Sequence, residues 1–495
     1  MRLRQSAIEN FIGSPIDAQL KEFHSLIGTA RYTEWGKQYD YDSFNNVSDF
    51  QKAVPIGDYD SMKPYIQRIM KGEQNILWPS EITWFAKSSG TTSDKSKFIP
   101  VSKEALDANH FRSSRDVLAM YFRQFPESKL MGGKGLAIGG SHQVNQLSPD
   151  SYYGDLSAVM MQNMPVAGQM LRTPDLSISL MEEWEEKIEM MAHATMLENV
   201  TFIAGVPTWT IVLIKRIFEI AGTNNLRDIW PNLELYIHGG VSFTPYRQQF
   251  QSFIPSSSMH YTETYNASEG FFAATDDERE EGMLLMLAHG IFYEFMPMEE
   301  YGKPSPTTLT LDEVSIGTNY ALVISTNSGL WRYLVGDTIQ FTTLNPYRIK
   351  VSGRLKHFMN AFGEEVIIDN SDAAIAYACA QTGAIVNDYS AAPVYMTGES
   401  TGAHEWLIEF EHLPVHLEVF VTAMDKQLKA INSDYEAKRH KDMALRFPIV
   451  HQMPKGGFNR WLKDKGKLGG QHKVPRLSND RNWLEEMLPY ALGTR

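Results

Sequence analysis

Residues 200–240 read VTFIAGVPTWTIVLIKRIFEIAGTNNLRDIWPNLELYIHGG, and the fold class follows from them. Val200–Ile203 is a short run of β-branched and aromatic residues, the pattern of a strand. Gly205-Val206-Pro207 turns the chain. Thr208–Ile220 is apolar almost throughout and too long for an ordinary strand, so it reads as a buried helix stopped at Gly222. Leu233–Ile237 is a second short apolar strand, ending at His238-Gly239-Gly240. Strand, helix and strand in succession predict an α/β fold with a partly parallel sheet and functional loops at the strand ends.

The same rhythm extends outward. Met259–Tyr265 reads as another strand leaving into a turn. On the N-terminal side, Met181, Trp184, Ile188, Met191 and Thr195 form an apolar stripe at helical spacing and predict a helix over 180–197. The glutamates between them (Glu182, Glu183, Glu185, Glu186, Glu189) form a solvated face rather than a metal site. Near residue 350 the texture changes. Strand Arg348–Ser352 runs into Gly353-Arg354-Leu355-Lys356. Then follow a helix (Ser371–Cys379), two strands (Ala392–Thr397 and Glu405–Glu411), a helix (Leu417–Ile431) and a basic, Gly-rich stretch, Lys463–Arg476. A boundary at Arg354–Lys356 divides the chain into 1–355 and a compact α+β unit, 356–495, of ordinary domain size.

A chain of 495 residues is more than one core usually organises, and its 43% hydrophobic and 21% charged residues are those of a globular protein. A formal net charge of -13 argues against a general nucleic-acid binder, which needs a basic footprint. The single cysteine, Cys379, excludes an intramolecular disulfide and a Cys-rich metal site, and its Ala-Tyr-Ala-Cys-Ala setting is that of a helix core residue. Met1-Arg2-Leu3-Arg4-Gln5 is charged with no apolar run after it, so no secretory signal is expected. No stretch approaches the ~20 apolar residues of a membrane span. A cytoplasmic protein without a membrane partner is the expectation; oligomeric state is not legible.

Three loops have the composition for chemistry. Lys87-Ser88-Ser89-Gly90-Thr91-Thr92-Ser93-Asp94-Lys95-Ser96-Lys97 offers hydroxyls, backbone amides and lysines to phosphate oxygens, and Gly90 permits close approach. It is not a P-loop, because G-x-x-x-x-G-K-[ST] is absent. In Tyr261–Gly270, Tyr265 could stack on a base and Glu269 could bind a hard cation such as Mg²⁺. In Trp331–Asp337, an Asp following a tight Gly turn can accept both hydroxyls of a ribose. Each loop alone is more often an ordinary surface turn or strand end. Two other features are discounted. Gly133-Lys134-Gly135-Leu136-Ala137-Ile138-Gly139 has the wrong spacing for a dinucleotide fingerprint. Pro414 spoils His412 and His416 as a helical zinc pair.

Taken in order, these loops resemble the superfamily of acyl-adenylating enzymes. Ser88–Lys97 resembles its phosphate loop. His238-Gly239-Gly240-Val241-Ser242-Phe243-Thr244-Pro245 resembles its adenine segment, Tyr265–Glu269 its Tyr-Gly-x-[Ser/Thr]-Glu motif, and Tyr333–Asp337 its Tyr-Arg-x-Gly-Asp motif. Gly353–Lys356 with Gly363 resembles its hinge, and Lys473 before Pro475-Arg476 its C-terminal lysine region. Within that superfamily the chain is identified as a member of the auxin-responsive-promoter (GH-three) family of acyl acid amido synthetases. The distinguishing residues are Tyr-Asn-Ala-Ser-Glu at 265–269, Tyr-Leu-Val-Gly-Asp at 333–337, Gln-His-Lys-Val-Pro-Arg at 471–476, Trp84–Thr92, and Val54-Pro55-Ile56. Its overall look is of a microbial rather than a plant member.

The resemblance implies a large N-terminal adenylate-forming domain of mixed sheets and helices, with a smaller, mobile α+β C-terminal domain pivoting near Lys356. It implies ATP-dependent activation of a carboxylic acid to an acyl-adenylate, releasing pyrophosphate, then transfer to an amino acid amine, releasing AMP. Ser88, Ser89, Gly90, Thr91 and Thr92 would hold phosphate oxygens, with Lys95 or Lys97 as lesser candidates. Glu269 would help bind Mg²⁺, Gly240, Tyr265 and Asn266 would border the nucleotide, and Asp337 with Arg354 would hold the ribose. Lys473 would enter the site for adenylation. Three departures stand out. Asp94 occupies a usual Gly position near triphosphate. Asn266 replaces a Gly, although Asn tolerates left-handed backbone. Leu334 replaces an Arg, with Arg332 expected on the other face of the strand. An acyl-CoA ligase shares the first half-reaction, and a non-catalytic nucleotide-binding protein shares the fold; both remain open at this point.

Overall fold

The computed structural model describes residues 2–88, 97–138, 144–149, 151–181, 183–240, 243, 246–355, 359, 361, 364, 366–394, 402–432, 435–436, 439, 442, 445–467, 473–478 and 481–493. The chain forms two compact units. One comprises Met1–Gly240 with Ser258–Val351, the other Val241–Ser257 with Ser352–Arg495.

In the first unit, a four-stranded sheet is built from β1 (Trp84–Ser88), β2 (Lys97–Val101), β4 (Asn145–Ser148) and β5 (Ser151–Gly154), in the order β2-β1-β5-β4. The large sheet holds β3 (Lys134–Ala137), β6 (Arg172–Thr173), β7 (Val200–Ala204), β8 (Leu235–Gly239), β9 (His260–Ala267), β10 (Gly270–Ala274), β11 (Met283–Leu285), β12 (Ile291–Pro297), β13 (Asn319–Thr326), β14 (Tyr333–Leu344) and β15 (Tyr347–Arg354). Their order is β12-β13-β14-β15-β11-β10-β9-β8-β7-β3-β6. The strands from β6 to β9 are parallel, and from β9 onward the pairings recorded for β10 to β14 turn antiparallel. The carboxyl ends of β8 and β9 therefore lie side by side where the sheet changes character, the place where α/β folds gather ligands.

The strand–helix–strand expectation holds in this segment. The helix runs over Pro207–Ala221, and Gly222 at φ 68° caps it in the left-handed region that glycine adopts without penalty. The stripe at 180–197 is a shorter helix than expected, Trp184–Met196, preceded by a separate turn of helix at Leu176–Ser179. Extended backbone at Glu183 (φ -72°, ψ 110°) parts the two, so Met181 is not on the stripe, while Ile188 and Met191 are buried as it requires. The glycines at 133 and 135 serve packing. A Cβ on Gly135 would lie 2.1 Å from the Phe202 ring, and one on Gly133 would lie 2.3 Å from the Asn199 carbonyl oxygen.

The second unit has a three-stranded sheet of β16 (Ile385–Val394), β17 (Ala403–His412) and β18 (Ile449–Met453). The helices Ile368–Thr382 and Leu417–Ile431 accompany it, the second with the boundaries expected from its pattern. Cys379 is half-buried on the first helix, and burial pushes its thiol up to about 11, which suits a core residue and not a nucleophile. His412 ends β17 and His416 precedes a helix, and among the described residues no cluster of three or more His, Cys, Asp or Glu could hold a metal. No helix among the described residues is long and apolar enough to cross a membrane.

Candidate active site

The phosphate-loop candidate is the connection of the antiparallel hairpin β1–β2, rooted where Ser88 pairs with Lys97. Ser89, Gly90, Thr91 and Thr92, together with Asp94 and Lys95, lie outside the described residues, as does the side chain of Ser88. The roots of the loop are firmly held. Phe85, Ala86 and Ile99 are buried, and the Phe98 amide donates to the Tyr59 hydroxyl at 2.9 Å. The Lys97 ammonium lies 5.9 Å from the centre of the Tyr59 ring. Tyr59 opens the helix Tyr59–Met70, capped by the Asp58 carboxylate. Just before it, the Gly57 amide donates to the Arg332 carbonyl (3.1 Å) and the Leu334 amide to the Gly57 carbonyl (2.8 Å). The Val54–Gly57 stretch thus ties the hairpin roots to the start of β14.

At the ends of β8 and β9, two glycines are required by different causes. A Cβ on Gly239 would lie 2.3 Å from the Thr264 carbonyl oxygen, and Gly240 is exposed at φ 78°. Tyr265 is nearly buried on β9, and its hydroxyl donates to Asp337 Oδ2 at 2.7 Å. Glu269 sits half-exposed in the β9–β10 turn, with its Oε1 3.5 Å from the Tyr333 hydroxyl. Burial, with the charge of Glu269 next in size, drives the Tyr333 hydroxyl well above its usual pKa, so it stays protonated.

Asp337 is presented by a bulge rather than by the expected tight turn. Val323 pairs with Leu334 and Ala321 with Thr338, so Val335-Gly336-Asp337 stand opposite the single residue Leu322 and give β14 two residues of surplus length, with Gly336 at φ 94°. Asn266 also differs from expectation. It lies in strand β9 outside the left-handed region, and its amide oxygen meets His110 Nδ1 at 3.2 Å. Arg332 is buried away from these groups. Its guanidinium binds both Glu294 oxygens, the Thr308 hydroxyl and the carbonyls of Gln51 and Val54. It cannot stand in for the missing Arg at Leu334.

The structure therefore brings Tyr265, Glu269 and Asp337 to one place, with Gly240 at the end of the neighbouring strand, while Asn266 follows Tyr265 on β9 with its side chain turned to buried His110. Arg354 closes β15, but its side chain lies outside the described residues, as do Lys356 and Gly363. Lys473 belongs to the second unit, half-exposed beside buried Val474 and Pro475. The Pro475 carbonyl accepts from Ser390 Oγ (2.6 Å), and the Arg476 carbonyl from the Ala391 amide (2.8 Å). The Arg476 guanidinium donates to the Tyr246 hydroxyl (2.7 Å) and to Asp372 (3.2 Å), and lies 4.4 Å from the Tyr389 ring centre. Asn109, His110, Tyr59 and Tyr246 escaped the sequence reading because their partners are far away in the chain; no local pattern marks them.

The chain matches the GH3 family N-terminal domain over residues 4–259, the central domain over 284–354 and the C-terminal domain over 369–482. It belongs to the GH3 family. Among curated relatives, an indole-3-acetic acid-amido synthetase of Arabidopsis thaliana is 24% identical over 92% of this chain and 88% of its own length. A jasmonoyl–L-amino acid synthetase of Nicotiana attenuata is 23% identical over 63% of each chain. Among solved structures, GH3.15 acyl acid amido synthetase aligns with TM-score 0.81 at 17% identity, covering 99% of this chain and 96% of that one. A 2-hydroxyisobutyryl-CoA ligase in its postadenylation state aligns with TM-score 0.60 at 12% identity, covering 95% and 90%. The fold is that of adenylate-forming enzymes.

Proposed function

We propose that this GH3 member uses ATP to activate a small carboxylic acid as its acyl-adenylate and then transfers the acyl group to an amino acid amine. One observation carries the reading of the site. The Tyr265–Asp337 hydrogen bond at 2.7 Å, beside the Tyr333–Glu269 approach, joins two motifs distant in sequence, one at the carboxyl end of the parallel strand β9 and one at the start of the antiparallel strand β14. In the first step a substrate carboxylate oxygen bonds to the α-phosphorus of ATP, and the bond to pyrophosphate breaks. In the second, the amine nitrogen bonds to the acyl carbonyl carbon, AMP leaves with the C–O bonding pair, and the amine loses a proton.

The chain's task is positioning and charge neutralisation. Ser88, Ser89, Gly90, Thr91 and Thr92 would hold the phosphates, Gly240, Tyr265 and Asn266 would border the nucleotide, and Asp337 with Arg354 would take the ribose. Glu269 fits Mg²⁺ as a hard oxygen donor at a half-exposed turn, since this ion commonly binds one or two carboxylates together with substrate phosphates. When bound, the ion would offset charge on the leaving pyrophosphate. Lys473 would assist adenylation.

The test is a pyrophosphate-release screen over carboxylic acids, then over amino acids and CoA with the best acid. Amide formation with an amino acid supports the proposal, and thioester formation in its place overturns the amine step. ATP binding without any acid-dependent pyrophosphate release overturns the enzymatic reading altogether. In the same assay, Lys473→Ala is expected to slow pyrophosphate release by at least about 100-fold, the scale of a lost transition-state contact. An unchanged rate removes Lys473 from the mechanism.

A further inference from the structure

The turn that carries Glu269 is built against the grain of its hairpin. Ala267 of β9 pairs with Gly270 of β10, so Ser268 and Glu269 are a two-residue connection. Such connections normally adopt turns with positive φ at one or both central residues, which match the twist of the strands. Neither Ser268 nor Glu269 has positive φ. The ladder also loses register one pair lower, between Phe271 and Ala273. Left to itself, a hairpin of this kind splays.

Two consecutive side chains from elsewhere hold it. Asn109 and His110 end a π-helical stretch, Ala105–His110, a widened turn that appears often at functional sites. Asn109 replaces a missing strand neighbour. Its Oδ1 accepts from the Phe271 amide at 2.7 Å, and its Nδ2 donates to the Phe271 carbonyl at 3.1 Å and the His289 carbonyl at 3.0 Å. His110 Nδ1 meets Asn266 Oδ1 at 3.2 Å. Phe271 and Asn266 face each other across the ladder, so residues 109 and 110 grip both strands one pair below the Glu269 turn. Asn109 and His110 are each 1% exposed, so water does not compete for these bonds.

We infer that Asn109 and His110 are positioning residues for Glu269, bracing the β9–β10 turn so that its carboxylate is held ready for the metal ion that arrives with ATP. This rests on the reading of Glu269 as a Mg²⁺ ligand. The bracing explains why an Asn at 266 serves this chain: its side chain is the handle that His110 holds.

The test is calorimetric titration of the full chain with ATP, with and without Mg²⁺, in the absence of any acid. The quantity read is the gain in ATP affinity that Mg²⁺ brings. Glu269→Gln is expected to lose most of that gain. His110→Ala is expected to lower it about threefold to tenfold, the worth of one hydrogen bond, with Mg²⁺-free ATP affinity nearly unchanged at a temperature where the variant is fully folded, and Asn266→Ala is expected to lower the gain to the same extent. The double variant is expected to be no worse than either single variant, because both remove the same bond. His110→Gln, which retains a donor, is expected to recover part of the gain. If Glu269→Gln loses the gain while His110→Ala and Asn266→Ala keep it, the bracing role is overturned and the ligand reading stands. If Glu269→Gln keeps the gain, the ligand reading falls and takes the bracing role with it. Equal losses of Mg²⁺-free and Mg²⁺-bound affinity in the His110 variants also overturn it, since they mark a general collapse of the site.

Discussion

His110 and His289 occupy one buried network that starts at the N-terminal helix. Arg4 binds Asp116 through two bonds of 2.6 Å, Asp116 accepts from His289 Nε2 at 2.9 Å, and the His289 carbonyl holds Asn109. Desolvation lowers both imidazole pKa values, that of His110 to about 4. The unfolded chain takes up a proton near pH 6.5 that folded His110 refuses until about pH 4. Stability contributed by His110 is therefore full above the unfolded value and is lost as pH falls through that window. Between pH 7 and pH 5 this one residue is expected to cost roughly 2 kcal/mol, since one pKa unit is worth about 1.4 kcal/mol. Urea unfolding at both pH values checks it. His110→Gln should flatten the pH dependence by that amount, and an identical slope in the variant refutes it.

At the scale of elements, two left-handed glycines near the start of β14 separate site from scaffold. Gly336, at φ 94°, has no atom within 4 Å of where a Cβ would stand, so Gly336→Ala carries only a backbone penalty of about 1–2 kcal/mol. It should nonetheless disturb the bulge that presents Asp337 and weaken ATP binding out of proportion to its melting shift. Gly329, at φ 83°, faces Leu77, whose backbone carbonyl atoms would lie 2.8 Å from the new Cβ. Gly329→Ala should cost on the order of 4 kcal/mol or abolish soluble protein. Calorimetric melting with ATP titration distinguishes the two outcomes. Elements were legible in the sequence wherever one periodicity dominated: Leu417–Ile431 and Pro207–Ala221 are helices whose apolar residues repeat without interruption. The bulge at Val335–Asp337 was not legible, because surplus length in a strand shows only against its partner β13. The bracing by Asn109 was not legible either, because a π-turn and its targets at Phe271 and His289 share no local pattern.

At the scale of the molecule, the second unit is organised around Arg476, whose charge is stabilised by Tyr246, Asp388, Tyr389 and Asp372 against the cost of burial. Arg476→Met leaves Asp372 and Asp388 without their cation. Breaking a buried pair in this way is expected to cost about 3–5 kcal/mol in denaturant unfolding. Arg476→Met with Asp388→Asn should recover part of the loss, because one stranded carboxylate is removed; a double variant less stable than the single one contradicts this. The succession of motifs along the chain was readable from residue order alone. That Val241–Ser257 groups with the second unit was not, since it depends on side chains such as Tyr246 meeting a partner more than two hundred residues later.

The segment after Lys473 also sets how far that lysine can travel. Leu477 bridges in parallel to Ala391 beside β16, and Ser390 holds the Pro475 carbonyl. From that anchor the backbone of Lys473 is on a tether of two residues, a span of about 7 Å at full extension. Larger excursions of its backbone would not come from loosening the segment. They would carry Asp372, Asp388 and Tyr389 along, so Lys473 would travel as a rigid passenger of its sheet.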